Sequence, residues 1–183
     1  SYGAVSIALH WTAAVLFLCQ LPLGYLTQAT QGRPALQAEI YHWHESLGFL
    51  ILAVGALWLL WALINRRPEP SASLAPSEPA AARAAHLSLY LLIVLVPLAG
   101  WAVISASSMA PVHAFGLVAV PDLPLAVAGG AEAIWSSIHA FFAYAAGFIV
   151  AVHVLAAFRH HFHFRDDVLL RMLRPGGIRR RAG

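Results

Sequence analysis

The chain has 183 residues, of which 60% are hydrophobic and only 10% charged. Soluble domains carry about 25% charge, so a water-soluble fold of this size could not hide so much apolar surface, and a membrane protein is expected. The formal charge is +3 and every basic residue is arginine. In so apolar a chain the arginines mark membrane edges rather than a nucleic-acid partner, and no nucleic-acid motif or repeat of fixed period is present. The single cysteine, Cys19, sits in an apolar run and reads as a small buried hydrophobe.

Four apolar segments are long enough to span about 30 Å of hydrocarbon at about 1.5 Å per residue. The first covers residues 5–27. It lacks a basic start, and no A-x-A-like site follows it, so it is expected to stay as a helix rather than leave as a signal peptide. The second covers 40–64. A proline-rich polar stretch follows, NRRPEPSASLAPSEPAAAR at 65–83, expected as a loose loop. The third span, 87–106, contains Pro97, which a membrane helix tolerates with a kink. Residues 107–133 form a long apolar connection with Pro111, Pro121, Pro124, Gly129 and Gly130, expected to lie on the membrane surface or to cap something beneath it. The fourth span covers 134–158, and a tail runs from 159 to 183.

Arginine placement sets the expected orientation. Arg66, Arg67 and Arg83 flank the second connection, and Arg159, Arg165, Arg171, Arg174 and Arg179 to Arg181 follow the last span. The other side holds only Arg33. By the positive-inside rule both termini are cytoplasmic, and the first and third loops face outward, periplasmic if the organism is bacterial. The expected architecture is all-α: a transmembrane four-helix bundle forming one domain over residues 1–183.

Ten histidines in such a chain are unusual, and an ionisable group at membrane depth is costly enough to mark function. In the fourth span His139, Ala143, Ala146, Val150 and His153 follow a 4-3-4-3 spacing, the stripe that faces a bundle interior. The two histidines lie about 21 Å apart along the axis and cannot serve one metal ion. Each needs a partner at its own depth. His44, near the outer end of the second span, matches His139, and His10, near the inner end of the first, matches His153.

Two imidazoles facing each other across an apolar gap fit an axially ligated haem, which brings its own equatorial nitrogens, better than zinc, which takes four protein ligands. Two haem groups are therefore expected. Ala13, Ala14 and Gly24 on the first span, and Gly48 and Gly55 on the stripe of His44, are small enough to admit a flat macrocycle. The same residues also suit plain packing between membrane helices. Ser46 and Ser136 are the polar side chains expected closest to the imidazoles. Arg66, Arg67 and Arg159 are candidates for pairing with haem propionates, beside their role as positive-inside anchors. His42 points about 200° away from His44, and His86 and His113 are expected to face solvent. The cluster RHHFHF at 159–164 reads either as a headgroup-facing basic patch or as a route for protons to a quinone.

These pieces together resemble the bacterial cytochrome b561 family. The matching stretches, in order along nearly the whole chain, are SIALHW, HESLGF, AHLSLYLL, AFGL and HAFFAYAAGFIVAVH leading to RHHFHFRDDVLLRML. The resemblance implies a four-helix membrane protein with two haem b groups, ligated by His10, His44, His139 and His153. It implies electron transfer between a periplasmic donor and the quinone pool, with superoxide as one donor linked to the family. Similar cytochrome b subunits anchor hydrogenases and other dehydrogenases, so the alternative is a haem-bearing anchor for such a partner. The outer loops depart from an anion-attracting surface, since Arg33 stands against Glu39, Asp122 and Glu132. A transporter would need broken helices and polar residues at mid-span, for which only Pro97 and Gln20 offer a hint.

Overall fold

A computed structural model describes residues 3–65, 78–107, 111–125 and 129–173. Four long helices, α1 (Ala4–Ala29), α2 (Pro34–Ile64), α3 (Glu78–Ala106) and α4 (Ala131–Phe158), form the body of the protein. All four are long and apolar enough to cross a bilayer. In hydrocarbon the backbone has no water to bond, so such segments are helical throughout. α1 packs on α2, α2 on α3 and α3 on α4, while α1 and α4 share few contacts. One end of the bundle, where α1 begins and α4 finishes, is the terminal end; the other is the loop end.

The helices overrun the expected spans because hydrophobicity stops before helix propensity does. α2 starts at Pro34 rather than near residue 40. Proline suits a first turn, where its missing N–H would have no intrahelical partner. The preceding turn passes through Gly32 at φ +87°, which a side chain would resist. α3 begins at Glu78 rather than near 87, so residues 78–83, expected in the loose loop, are helical. The run AAARAA is polar enough to fall outside an apolar window, yet alanine is the strongest helix former. The rest of that loop, with Arg66 and Arg67, lies outside the described residues.

The interior is built from small residues. Ala13, Gly55, Ala99, Ala102 and Ala146 are buried, which lets backbones approach closely. Pro97 leaves the Ile93 carbonyl without its helical donor, and Gly55 packs there: a Cβ on Gly55 would stand 3.2 Å from that oxygen. Large apolar side chains such as Leu57, Leu60, Phe141, Tyr144 and Phe148 point outward to lipid. Cys19 also faces outward, contrary to the expectation of burial, because its helix has only one packed face.

The third connection caps the loop end, as expected. Its centre is a short hairpin, β1 (His113–Ala114) paired antiparallel with β2 (Val118–Ala119). The turn between them holds Phe115 at φ +54° and Gly116 at φ +70°. Three hydrogen bonds pin the cap: Phe115 N–H donates to Ser46 Oγ (2.8 Å), Trp101 Nε1 to the Pro121 carbonyl (2.9 Å), and Leu123 N–H to Ser105 Oγ (2.9 Å).

At the terminal end α4 runs into a π-helical turn, Arg159–Phe164, which is the RHHFHF cluster. The chain then reverses at Arg165, φ +53°, into a short 3-10 turn at Leu170–Met172. His160 Nδ1 pairs with Asp166 Oδ2 at 2.6 Å, and Arg171 Nε pairs with Asp167 at 2.9 Å. Trp11 Nε1 donates to the Met172 carbonyl at 2.8 Å, so the start of the tail folds back on α1.

Candidate functional site

The four histidines meet as two pairs at opposite ends of the bundle. At the loop end the rings of His44 (α2) and His139 (α4) have centroids 6.1 Å apart and planes at 85°. At the terminal end His10 (α1) and His153 (α4) are 6.3 Å apart at 62°. An imidazole–metal bond is about 2 Å long and the ring centre lies about 1 Å beyond the nitrogen, so imidazoles trans on one metal put their centroids about 6 Å apart. Both separations match that span.

The loop-end pair sits in a glycine cradle. A Cβ on Gly24 of α1 would stand 3.2 Å from His44 Cε1, and one on Gly100 of α3 would stand 3.1 Å from His139 Cε1. Any larger residue at either place would push on an imidazole. His139 Nδ1 lies 2.9 Å from the Val96 carbonyl. A carbonyl only accepts, so Nδ1 carries the proton and Nε2 keeps its lone pair for a metal. These residues therefore fit haem: opposed imidazoles, a defined tautomer on His139, and a glycine against each ring.

The terminal-end pair is bounded by rings instead. Trp11 and Trp58 stand edge-on to His10 at 5.2 and 5.7 Å, and Tyr90 stands edge-on to Trp58 at 5.1 Å. His86 is the largest departure from expectation. It does not face solvent but stands 5.4 Å from the ring of His153, at 74°. The cause is the early start of α3, which places residue 86 well inside the helix and on the face toward α4.

Other expectations resolve residue by residue. Ser46 is fully buried, but its hydroxyl accepts from Phe115 N–H and holds the cap rather than an imidazole. Ser136 is exposed. Of the small residues, Gly24 borders a histidine, Gly48 lies beside the Gln20 amide, and Gly55 packs on α3. His42 rests against Trp43, and His113 is exposed. Arg159 lies over the Phe164 ring at 4.5 Å. Gly100, Val96 and Trp58 were not singled out by the sequence, and His86 was expected to face solvent. A glycine and a proline close together in span three, at 97 and 100, were the available signal for the first two.

A bundle of four membrane-crossing helices with opposed histidines at both ends defines a membrane cytochrome of the b type. Residues 1–175 match the family model for prokaryotic cytochrome b561, and the chain belongs to that family. It is 32% identical over 172 residues to "Cytochrome b561 homolog 2" of Escherichia coli (strain K12), covering 94% of this chain and 90% of the relative. It is 27% identical over 172 residues to "Probable superoxide oxidase CybB" of Yersinia pestis, covering 94% and 95%. The protein is thus an integral inner-membrane electron-transfer protein that uses b-type haem.

Proposed function

We propose that this chain carries electrons between a periplasmic donor and the quinone pool, holding two haem b groups. His44 and His139 would hold one, and His10 and His153 the other. The observation that carries this reading is the pair of histidine couples, each spaced for one metal and set at opposite ends of the same bundle. Haem bound between two such imidazoles would supply a one-electron iron couple, which suits electron transfer.

The chain's own residues supply position, burial and protons. The arginines favour both termini in the cytoplasm: Arg83, Arg159, Arg165 and Arg171 lie at the terminal end and Arg33 at the loop end. The cap of residues 111–125 then covers the periplasmic pair. His160, oriented by Asp166, stands with His161 and His163 in one turn suited to exchanging protons with a quinone at the cytoplasmic side.

Superoxide is the first small donor to test, on the strength of the relative named as a probable superoxide oxidase. The acidic Glu39, Asp122 and Glu132 at the loop end give it no electrostatic steering. The second reading is a haem-bearing anchor for a larger dehydrogenase. The exposed tip of the hairpin, with Leu117 85% and Val118 62% exposed, favours it as a place for a partner to rest.

Gentle solubilisation of native membranes followed by size separation tests both. Two b-type haems moving with this chain alone, and reduced by added ubiquinol without oxygen, support the stand-alone carrier. The same haems moving with a larger protein identify the donor and support the anchor. No haem absorbance with the chain contradicts both.

A further inference from the structure

Two polar atoms are buried without a hydrogen-bond partner among the described residues: Gln20 Oε1 on α1 and His44 Nδ1 on α2. They are complementary. The amide oxygen only accepts, and an imidazole that gives Nε2 to a metal carries its proton on Nδ1 and must donate it. Leaving both unpaired would cost each group its desolvation with nothing to offset it.

The two residues are already joined by another bond. Gln20 Nε2 donates to the His44 backbone carbonyl at 2.8 Å, across the α1–α2 interface. That bond anchors the amide beside the residue whose ring lacks a partner. Glycines flank the pair. A Cβ on Gly48 would meet Gln20 Nε2 at 3.5 Å, and one on Gly24, a turn along α1 from Gln20, would meet His44 Nδ1 at 3.7 Å. The opposite imidazole needs no such help, since His139 Nδ1 is satisfied by the Val96 carbonyl at 2.9 Å.

We propose that Gln20 is the positioning residue for His44, its Oε1 accepting the Nδ1–H hydrogen bond through one bridging water molecule. The assignment rests on the reading of His44 as an axial ligand. It gives a mid-span glutamine, expensive in hydrocarbon, a specific role, which is to fix the tautomer and plane of one imidazole and to raise its basicity. A more basic imidazole favours the oxidised metal, so Gln20 holds the potential of the loop-end haem down.

The test uses the full-length protein in detergent or nanodiscs, comparing wild type with Gln20→Leu, Gln20→Glu and His44→Ala. Redox titration follows each haem by its absorbance, and pulsed EPR reads the remote ring nitrogen of the ligands. Gln20→Leu is expected to keep both haems and raise the midpoint potential of one. The expected size is about tenfold in the oxidised-to-reduced ratio, or about 59 mV for a one-electron couple. Its remote-nitrogen signal should shift as well. Gln20→Glu keeps an oxygen acceptor at the same place and should stay at or below the wild-type potential. His44→Ala should lose one haem and with it the component that Gln20→Leu had moved.

An unchanged potential and nitrogen signal in Gln20→Leu would overturn the assignment while leaving His44 as a ligand. So would equal shifts in Gln20→Leu and Gln20→Glu, which would mean that only the amide N–H matters. If Gln20→Leu loses a haem outright, Gln20→Glu decides: a wild-type nitrogen signal there upholds the assignment, and an altered one overturns it. Retention of both haems by His44→Ala would overturn this proposal together with the ligand reading on which it rests.

Discussion

Gly100 of α3 lies directly against the imidazole of His139, so that a Cβ at residue 100 would stand 3.1 Å from Cε1 and 3.2 Å from Nδ1. Those distances are shorter than side chains tolerate without movement, and Nδ1 of the ring is tied to the Val96 carbonyl. A methyl group there must tilt the imidazole, and a branched side chain must displace it. Gly100→Ala is expected to keep two haems per chain with one altered absorbance band. Gly100→Val is expected to keep about one, by pyridine haemochrome assay against protein. Two intact haems in Gly100→Val would show that the cradle is not tight.

A buried hydroxyl on α2 is one of the anchors of the cap. Ser46 Oγ is the acceptor for Phe115 N–H, which ties the left-handed turn at Phe115 directly to α2. Ser46→Ala leaves that donor unpaired and should lower stability by about 1–3 kcal/mol. The change should appear as a lower melting temperature and as faster amide exchange at residues 113–119. If exchange in the hairpin is unchanged, the cap is held by the Trp101 and Ser105 bonds alone.

The terminal-end pair should respond to a residue that the loop-end pair never senses. His86 stands edge-on to His153. His86→Phe keeps a flat ring at that contact, whereas His86→Ala opens space beside the ligand. The EPR line of one haem should therefore move in His86→Ala and return toward wild type in His86→Phe, while the other haem stays fixed in both. Shifts of both lines, or of neither, would contradict the separation of the two sites.

The fold-back of the tail should be a local, breakable structure. The pair His160–Asp166 at 2.6 Å closes the π-helical turn, and Trp11 bonds the Met172 carbonyl. Asp166→Ala should release residues 165–173 and speed tryptic cleavage at Arg165 and Arg171 severalfold. Cleavage at the wild-type rate would mean that the turn is held without the carboxylate.

Much of this was legible in the sequence because membrane helices obey few rules. Apolar length marked out the four spans, and depth together with the 4-3-4-3 stripe pointed to the pairing of His10 with His153 and of His44 with His139. What escaped was set by contacts between distant residues. Ser46 meets Phe115, 69 positions away, and no spacing announces that partner. His86 was misplaced because an apolar window begins the third span at residue 87, whereas the alanine run carries the helix back to residue 78 and turns His86 inward. Gly100 looks like any glycine in a membrane helix until its neighbour is known to be His139. Gln20 reads as a polar residue at mid-span, a hint of a transporter, and the structure shows it bonded to the backbone of His44 instead.

Whether each histidine pair holds one haem b is tested most directly by the haem-to-chain ratio of purified variants. Wild type should carry two haems per chain, His139→Ala and His153→Ala one each with different remaining spectra, and the double variant none. Two haems retained in either single variant, or the same haem lost in both, would contradict the pairing.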